Sequence, residues 1–139
     1  MIAYKVVEKG TRFGSNVTID KHENRNITPK ERRRITTLRR KHKAWFPRYL
    51  KHTTVKMVRG SIGILAFDAF ENADRFKKKY PSLYNHGQII KVKVKGKLLP
   101  EARVILGCSK FEHLLGMLSS TTAPAPSGTI FCRAVEVLE

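Results

Sequence analysis

Apolar and polar residues alternate along several short stretches of this chain, and a period of two marks a strand with one buried face. Gln88 to Lys95 (QIIKVKVK) shows it most cleanly. Ile90, Val92 and Val94 point one way and Lys91, Lys93 and Lys95 the other, with Lys97 just beyond. Ile2 to Glu8 (IAYKVVE) alternates too, placing Ile2, Tyr4 and Val6 on one face. Thr53–Arg59 and Ile62–Phe67 read as strands separated by Arg59-Gly60-Ser61, and the second is apolar on both sides, as a central strand is. Asn16–Asp20 and Ala102–Leu106 read as shorter strands, and Thr129–Leu138 as a closing one.

Between these lie three stretches with helical spacing, each opened by a capping residue and a Glu three positions later. Thr28-Pro29-Lys30-Glu31 starts a helix running to about Lys43, with Ile35 and Leu38 as a thin apolar seam. Asp68-Ala69-Phe70-Glu71 starts a second that ends near Tyr80-Pro81, with Phe70, Ala73, Phe76 and Tyr80 on its buried side. Ser109-Lys110-Phe111-Glu112 starts a third, with Phe111, Leu114, Leu115 and Leu118 inside. Residues 119–128 (SSTTAPAPSG) read as a loop. The order predicts a single α+β domain over residues 1–139, a curved, mainly antiparallel sheet with three short helices.

Size and composition fit that reading. A chain of 139 residues with 41 % apolar positions can bury a core but has no room for two domains. No apolar run approaches the ~20 residues of a membrane helix, and the first residues read as a strand, not a signal peptide. A cytoplasmic protein without membrane contact is expected. Cys108 and Cys132 stand far apart in apolar surroundings, as small core residues do.

Charge changes the picture most. Of 28 Lys and Arg, 14 lie between Lys21 and Arg59 with only Glu23 and Glu31, so this stretch carries 14 − 2 = +12 of the total +17. A run of one sign has almost none of the i,i+4 ion pairs that support exposed helices, and it concentrates polyanions near the surface. Arg32, Arg33, Arg39, Arg40, Lys43 and Arg48 are the candidate phosphate ligands here, and Tyr49 is a candidate stacking surface for a base. Trp45 and Phe46 read better as core. Lys91 and Lys93 form a second candidate surface, against the alternative that their strand is an edge kept from aggregation by charge. Ser119, Ser120, Thr121 and Thr122 offer hydroxyls and backbone N–H groups that can wrap a phosphate, although no P-loop pattern is present.

Catalytic patterns are absent from the sequence. The five histidines have no metal-ligand spacing, and acids are scarce, at 11 in all. No nucleophile elbow, zinc site or carboxylate pair is recognisable, so no cofactor and no metal is expected.

Two stretches carry a resemblance. Ala3–Val7 (AYKVV) and the block from Gly63 to Gly96 resemble a group of small uncharacterised proteins of bacteriophages and mobile elements. The Gly63–Gly96 block is also similar to the strand–helix–strand core of ADP-ribosyltransferase-like folds. That similarity implies a nucleotide-sized cleft. Such enzymes place a His or Arg on the first strand and a Glu on a late one; this chain has Tyr4-Lys5 at the first position and Glu136 as the acid of its closing strand.

Taken together, the expectation is a non-catalytic phosphate-recognition protein of phage type in the cytoplasm of a host cell. Its sharpest form is capture of a nucleotide second messenger to counter host defence. The alternative is a DNA- or RNA-binding protein that lays the Arg-rich helix on the nucleic-acid backbone. The thin seam of that helix also leaves a homo-oligomer open.

Overall fold

The structure is a computed structural model that describes residues 1–14, 29–30, 33, 37, 40–41, 43, 47–59, 61–79, 81–102, 104–105 and 122–139. Six strands form one antiparallel sheet: β1 (Ile2–Glu8), β2 (Thr54–Lys56), β3 (Ile64–Phe67), β4 (Gly87–Lys95), β7 (Thr129–Cys132) and β8 (Ala134–Val137). Their order across the sheet is β2-β8-β4-β1-β3-β7. A separate two-stranded piece pairs β5 (Val104–Ile105) with β6 (Thr122–Ala123). Two helices, α1 (Phe70–Lys79) and α2 (Pro81–His86), connect β3 to β4. The α+β single-domain arrangement and the antiparallel sheet are as the sequence predicts.

The curvature follows from connectivity. Strands β7 and β8 are separated by Arg133 alone, yet β4, β1 and β3 lie between them in the sheet. A trans chain advances only ~3.8 Å per residue, so the sheet must roll until its β7 edge comes round towards β8. At that corner the backbone N–H of Met57, one residue past β2, donates to the Arg133 carbonyl at 2.8 Å. The roll is not closed into a barrel. The stretch read as one closing strand, Thr129–Leu138, is therefore bent at its middle and serves both ends of the sheet.

The inner face carries the main core: Ala3 and Val7 of β1, Val55 of β2, Ile64 and Ala66 of β3, Ile90, Val92 and Val94 of β4, Cys132, Val135 and Val137. Valine, alanine and cysteine suit the tight interior of a rolled sheet, where two sides of one surface meet. Gly63 shows how tight it is. Its φ of +105° excludes most side chains, and an added Cβ would sit 2.6 Å from Leu99 Cδ1 and 2.9 Å from the Cys132 carbonyl oxygen.

The outer face is covered over part of its area. Ala73 and Phe76 of α1 pack on Val6 and Phe67, with Tyr4 and Ile89 alongside, and the Phe67 and Phe76 rings lie 5.3 Å apart. Helix α1 ends at Lys79, close to where the sequence predicts, and Pro81 then opens α2, because its missing N–H costs nothing in a first turn. Phe70, expected on the buried side of α1, is 48 % exposed: the stripe Phe70, Ala73, Phe76 runs past the area that the sheet covers.

Three expectations fall elsewhere. The strand over 16–20 and the helix opened by Ser109 lie outside the described residues. For the basic helix, Pro29, Lys30, Arg33, Thr37, Arg40 and Lys41 are helical and exposed, and Thr37 Oγ1 donates to the Arg33 carbonyl at 2.9 Å. At 100° per residue these positions share one side of a helix.

A lysine-bearing sheet face as the candidate functional site

Strand β4 has to bury Ile90, Val92 and Val94 in the roll, so the pleat turns Lys91, Lys93 and Lys95 outward. The ladder extends this surface sideways. Lys93 lies opposite Glu136 of β8 and Ile2 of β1, and Glu136 in turn lies opposite Thr54 of β2. Lys95 lies opposite Ala134, which lies opposite Lys56. Residues paired across an antiparallel ladder share a face. Lys56, Lys91, Lys93 and Lys95 therefore stand on one surface, and among the described residues that the ladder sets directly opposite them one is acidic, Glu136, giving 4 − 1 = +3 for this group. Lys56, Lys93 and Lys95 are exposed and Lys91 is half-buried.

Glu136 pairs with Lys95 at 2.9 Å. That hydrogen bond, reinforced by the Lys95, Lys93 and His52 charges, holds its carboxyl below the usual carboxylate range. One carboxylate cannot neutralise four ammonium groups, and the pair is solvent-exposed, so it adds little stability. The late-strand acid noted in the sequence is thus engaged as an ion-pair partner in the middle of a basic face.

Edge protection does not explain these lysines. Strand β4 sits between β8 and β1, in the middle of the sheet. Lys97 leaves the face altogether, because Gly96, at φ +76°, turns the chain at the end of β4. Beyond that turn, Leu99 donates its N–H to the Phe131 carbonyl at 2.8 Å along the far edge of β7.

The other candidates are distributed as follows. Arg33, Arg40 and Lys43 are exposed in the helical stretch, while Arg32 and Arg39 lie outside the described residues. Arg48 is exposed, with Nε donating to the Thr11 carbonyl at 2.7 Å and its guanidinium 5.9 Å from the Phe13 ring centre. Tyr49 is not a stacking surface: it is 4 % exposed and belongs to the core inside the roll. Reciprocal bonds with Arg12 fix it there, Tyr49 N to Arg12 O at 3.0 Å and Arg12 Nε to Tyr49 O at 2.5 Å. Thr122, expected in a phosphate-wrapping loop, belongs instead to β6, paired with Ile105. Ser119, Ser120 and Thr121 lie outside the described residues, as do Trp45, Phe46 and Cys108.

One feature of the interior escaped the sequence pattern. Lys5 is only 7 % exposed, on the same face as Ala3 and Val7. Its Nζ donates to the Leu65 carbonyl at 2.8 Å and stands 4.8 Å from the centre of the Tyr49 ring. Burial pulls its ammonium down from 10.5 to about 8, partly offset by the Cys132 sulfur. Burial likewise pushes the Cys132 thiol up to about 11 and the Tyr49 phenol upward. The alternation read from the sequence sets Ile2, Tyr4 and Val6 on one face, whereas the roll encloses the other face, Ala3, Lys5 and Val7.

Among the described residues no three His, Cys, Asp or Glu side chains gather as metal ligands would, and no helix is long and apolar enough to cross a membrane. Comparison with protein-family models, with curated proteins and with solved structures finds no match.

Proposed function

We propose that this protein recognises phosphate groups, and that its ligand is the backbone of a nucleic acid held against the lysine face of the sheet. The observation that carries this reading is the row Lys91, Lys93, Lys95 on an interior strand, backed by Lys56 across β8, with Glu136 as the acid paired against it among the described residues. Alternate residues of a strand stand ~6.6–6.8 Å apart, so the row presents regularly spaced charge along a line, as an extended polyanion does. An open face with exposed lysines favours a polymer over a single small nucleotide, which a concave, mostly enclosed site suits better. Arg33, Arg40 and Lys41, exposed on the basic helical stretch, supply a second cationic surface. On this reading the protein acts in the cytoplasm and, following the phage resemblance, in that of an infected host.

The test is fluorescence anisotropy with labelled single strand, duplex and a panel of cyclic nucleotides between ~50 and ~200 mM salt. A polymer binder loses affinity steeply over that range, with a slope of log K against log salt of ~0.7 per phosphate contact on a single strand. Replacing Lys91, Lys93 and Lys95 together by Gln is expected to lower the magnitude of that slope by up to ~2, three contacts at ~0.7 each. Unchanged binding and slope in the triple variant would sink the proposal. Tight, salt-insensitive capture of one cyclic nucleotide would replace it with the second-messenger reading.

A further inference from the structure

We infer that the border between the lysine face and α1 is a seat for an unpaired base, so that the ligand is single-stranded. This rests on the nucleic-acid reading above and names the form of its ligand. Helix α1 covers the sheet over Val6 and Phe67, with Tyr4 and Ile89 at the margin of that contact. At its first position Phe70 continues the apolar stripe but is 48 % exposed, edge-on to Tyr4 with ring centres 5.8 Å apart and planes at 86°. Tyr4 lies opposite Lys91 in the ladder, and Ile2, 42 % exposed, lies opposite Lys93. An exposed aromatic ring is thus held against Tyr4, whose ladder partner is the cation Lys91.

That combination has a specific chemical complement. Aromatic rings offer a π-face to any base, and cations beside them engage the phosphates attached to it. An apolar partner without charge would leave Lys91 and Lys93 uncompensated at the contact. A duplex would satisfy the lysines but keep its bases stacked on each other, away from Phe70. A single strand satisfies both. The Tyr4 edge contact holds Phe70 in place, so little side-chain freedom is lost when a base arrives.

The experiment compares four proteins, wild type, Phe70→Ala, Phe70→Tyr and the Lys91/Lys93/Lys95→Gln triple variant. Each is titrated with a labelled pyrimidine single strand, an abasic strand of equal length and a duplex. Phe70→Ala is expected to weaken single-strand binding about five- to tenfold, the lower part of the range for one base–aromatic stack. It should leave abasic and duplex binding unchanged, and Phe70→Tyr should restore the loss. Thermal melts of each variant verify folding, which an exposed ring does not control. If Phe70→Ala binds the single strand like wild type while the triple variant is weakened, the stacking seat is wrong and the phosphate reading stands. If neither variant changes binding, the phosphate reading itself fails. A wild-type mass that rises with concentration and falls to monomer in Phe70→Ala would make the patch a contact between copies, overturning the inference.

Discussion

Lys5 allows a quantitative test of the rolled interior. Folding takes its ammonium from water into the core, and burial lowers its pKa from 10.5 to about 8. Each pKa unit corresponds to ~1.4 kcal/mol, so holding Lys5 charged inside the roll costs about 3 kcal/mol relative to the unfolded chain. The sign follows from proton counts. Between pH 8 and 10.5 the folded protein has released the Lys5 proton while the unfolded chain still binds it, so stability rises with pH in that window. Below pH 8 the full cost is present. Two neighbours work in the opposite direction at higher pH: Cys132, raised to about 11, and Tyr49, also raised, ionise first in the unfolded chain. The clean interval is therefore pH 7 to 9. Lys5→Met keeps an unbranched side chain and removes the titration. Urea unfolding of both proteins at pH 7, 8 and 9 should show wild type gaining on the variant by about 1 kcal/mol across those points, the part of the ~3 kcal/mol relieved by pH 9. Stability curves that stay parallel, or a wild type that loses ground as pH rises, would refute a charged Lys5 buried in the core.

Other perturbations test the fold and the face separately. Gly63→Ala should destabilise by about 2 kcal/mol or more in denaturant unfolding, since it combines φ +105° with a backbone clash at the Cys132 carbonyl. Gly128→Ala, at φ +81°, has side-chain atoms of Asn72 and Asp68, not backbone, as its nearest clashes and should cost less. Phe76→Ala removes the ring that α1 buries against Phe67 and should cost ~3–5 kcal/mol, read from the shift in urea midpoint. Glu136→Gln should tighten nucleic-acid binding a few-fold in low-salt anisotropy, because it removes the acid paired with Lys95 on the lysine face, and should barely move the melting temperature.

What the sequence made legible was whatever rests on local period and local chemistry. The alternation of Gln88–Lys95 sets both the strand and the side its lysines take, because Ile90, Val92 and Val94 admit only one pleat. The apolar run Ile62–Phe67 points to an interior strand, and β3 does lie between β1 and β7. Long-range pairing was not legible. Nothing near Arg133 announces that the chain bends there and joins opposite ends of the sheet, and without that bend β4 can be taken for an edge. Two side chains were misread for a related reason. Tyr49 follows a basic run and resembles a surface aromatic, but its partners Arg12 and Lys5 lie some forty residues away. Phe70 continues a buried stripe, but how much of that stripe is covered depends on where the sheet runs out beneath α1.

The same geometry separates what stabilises this fold from what its face can bind. On β4 the inward positions carry the core, and none of the outward lysines belongs to it. Neighbouring ammonium groups two residues apart repel by roughly 0.5 kcal/mol each in water before salt screening. Neutralising Lys91, Lys93 and Lys95 should therefore leave the melting temperature equal or slightly higher. Lysines kept there for solubility alone would give that result together with unaltered binding to polyanions. Lysines placed for a ligand give it together with lost binding. Measured on one triple variant, the two quantities distinguish a solvated sheet face from a site, and the mid-sheet position of β4, away from any edge, favours the site.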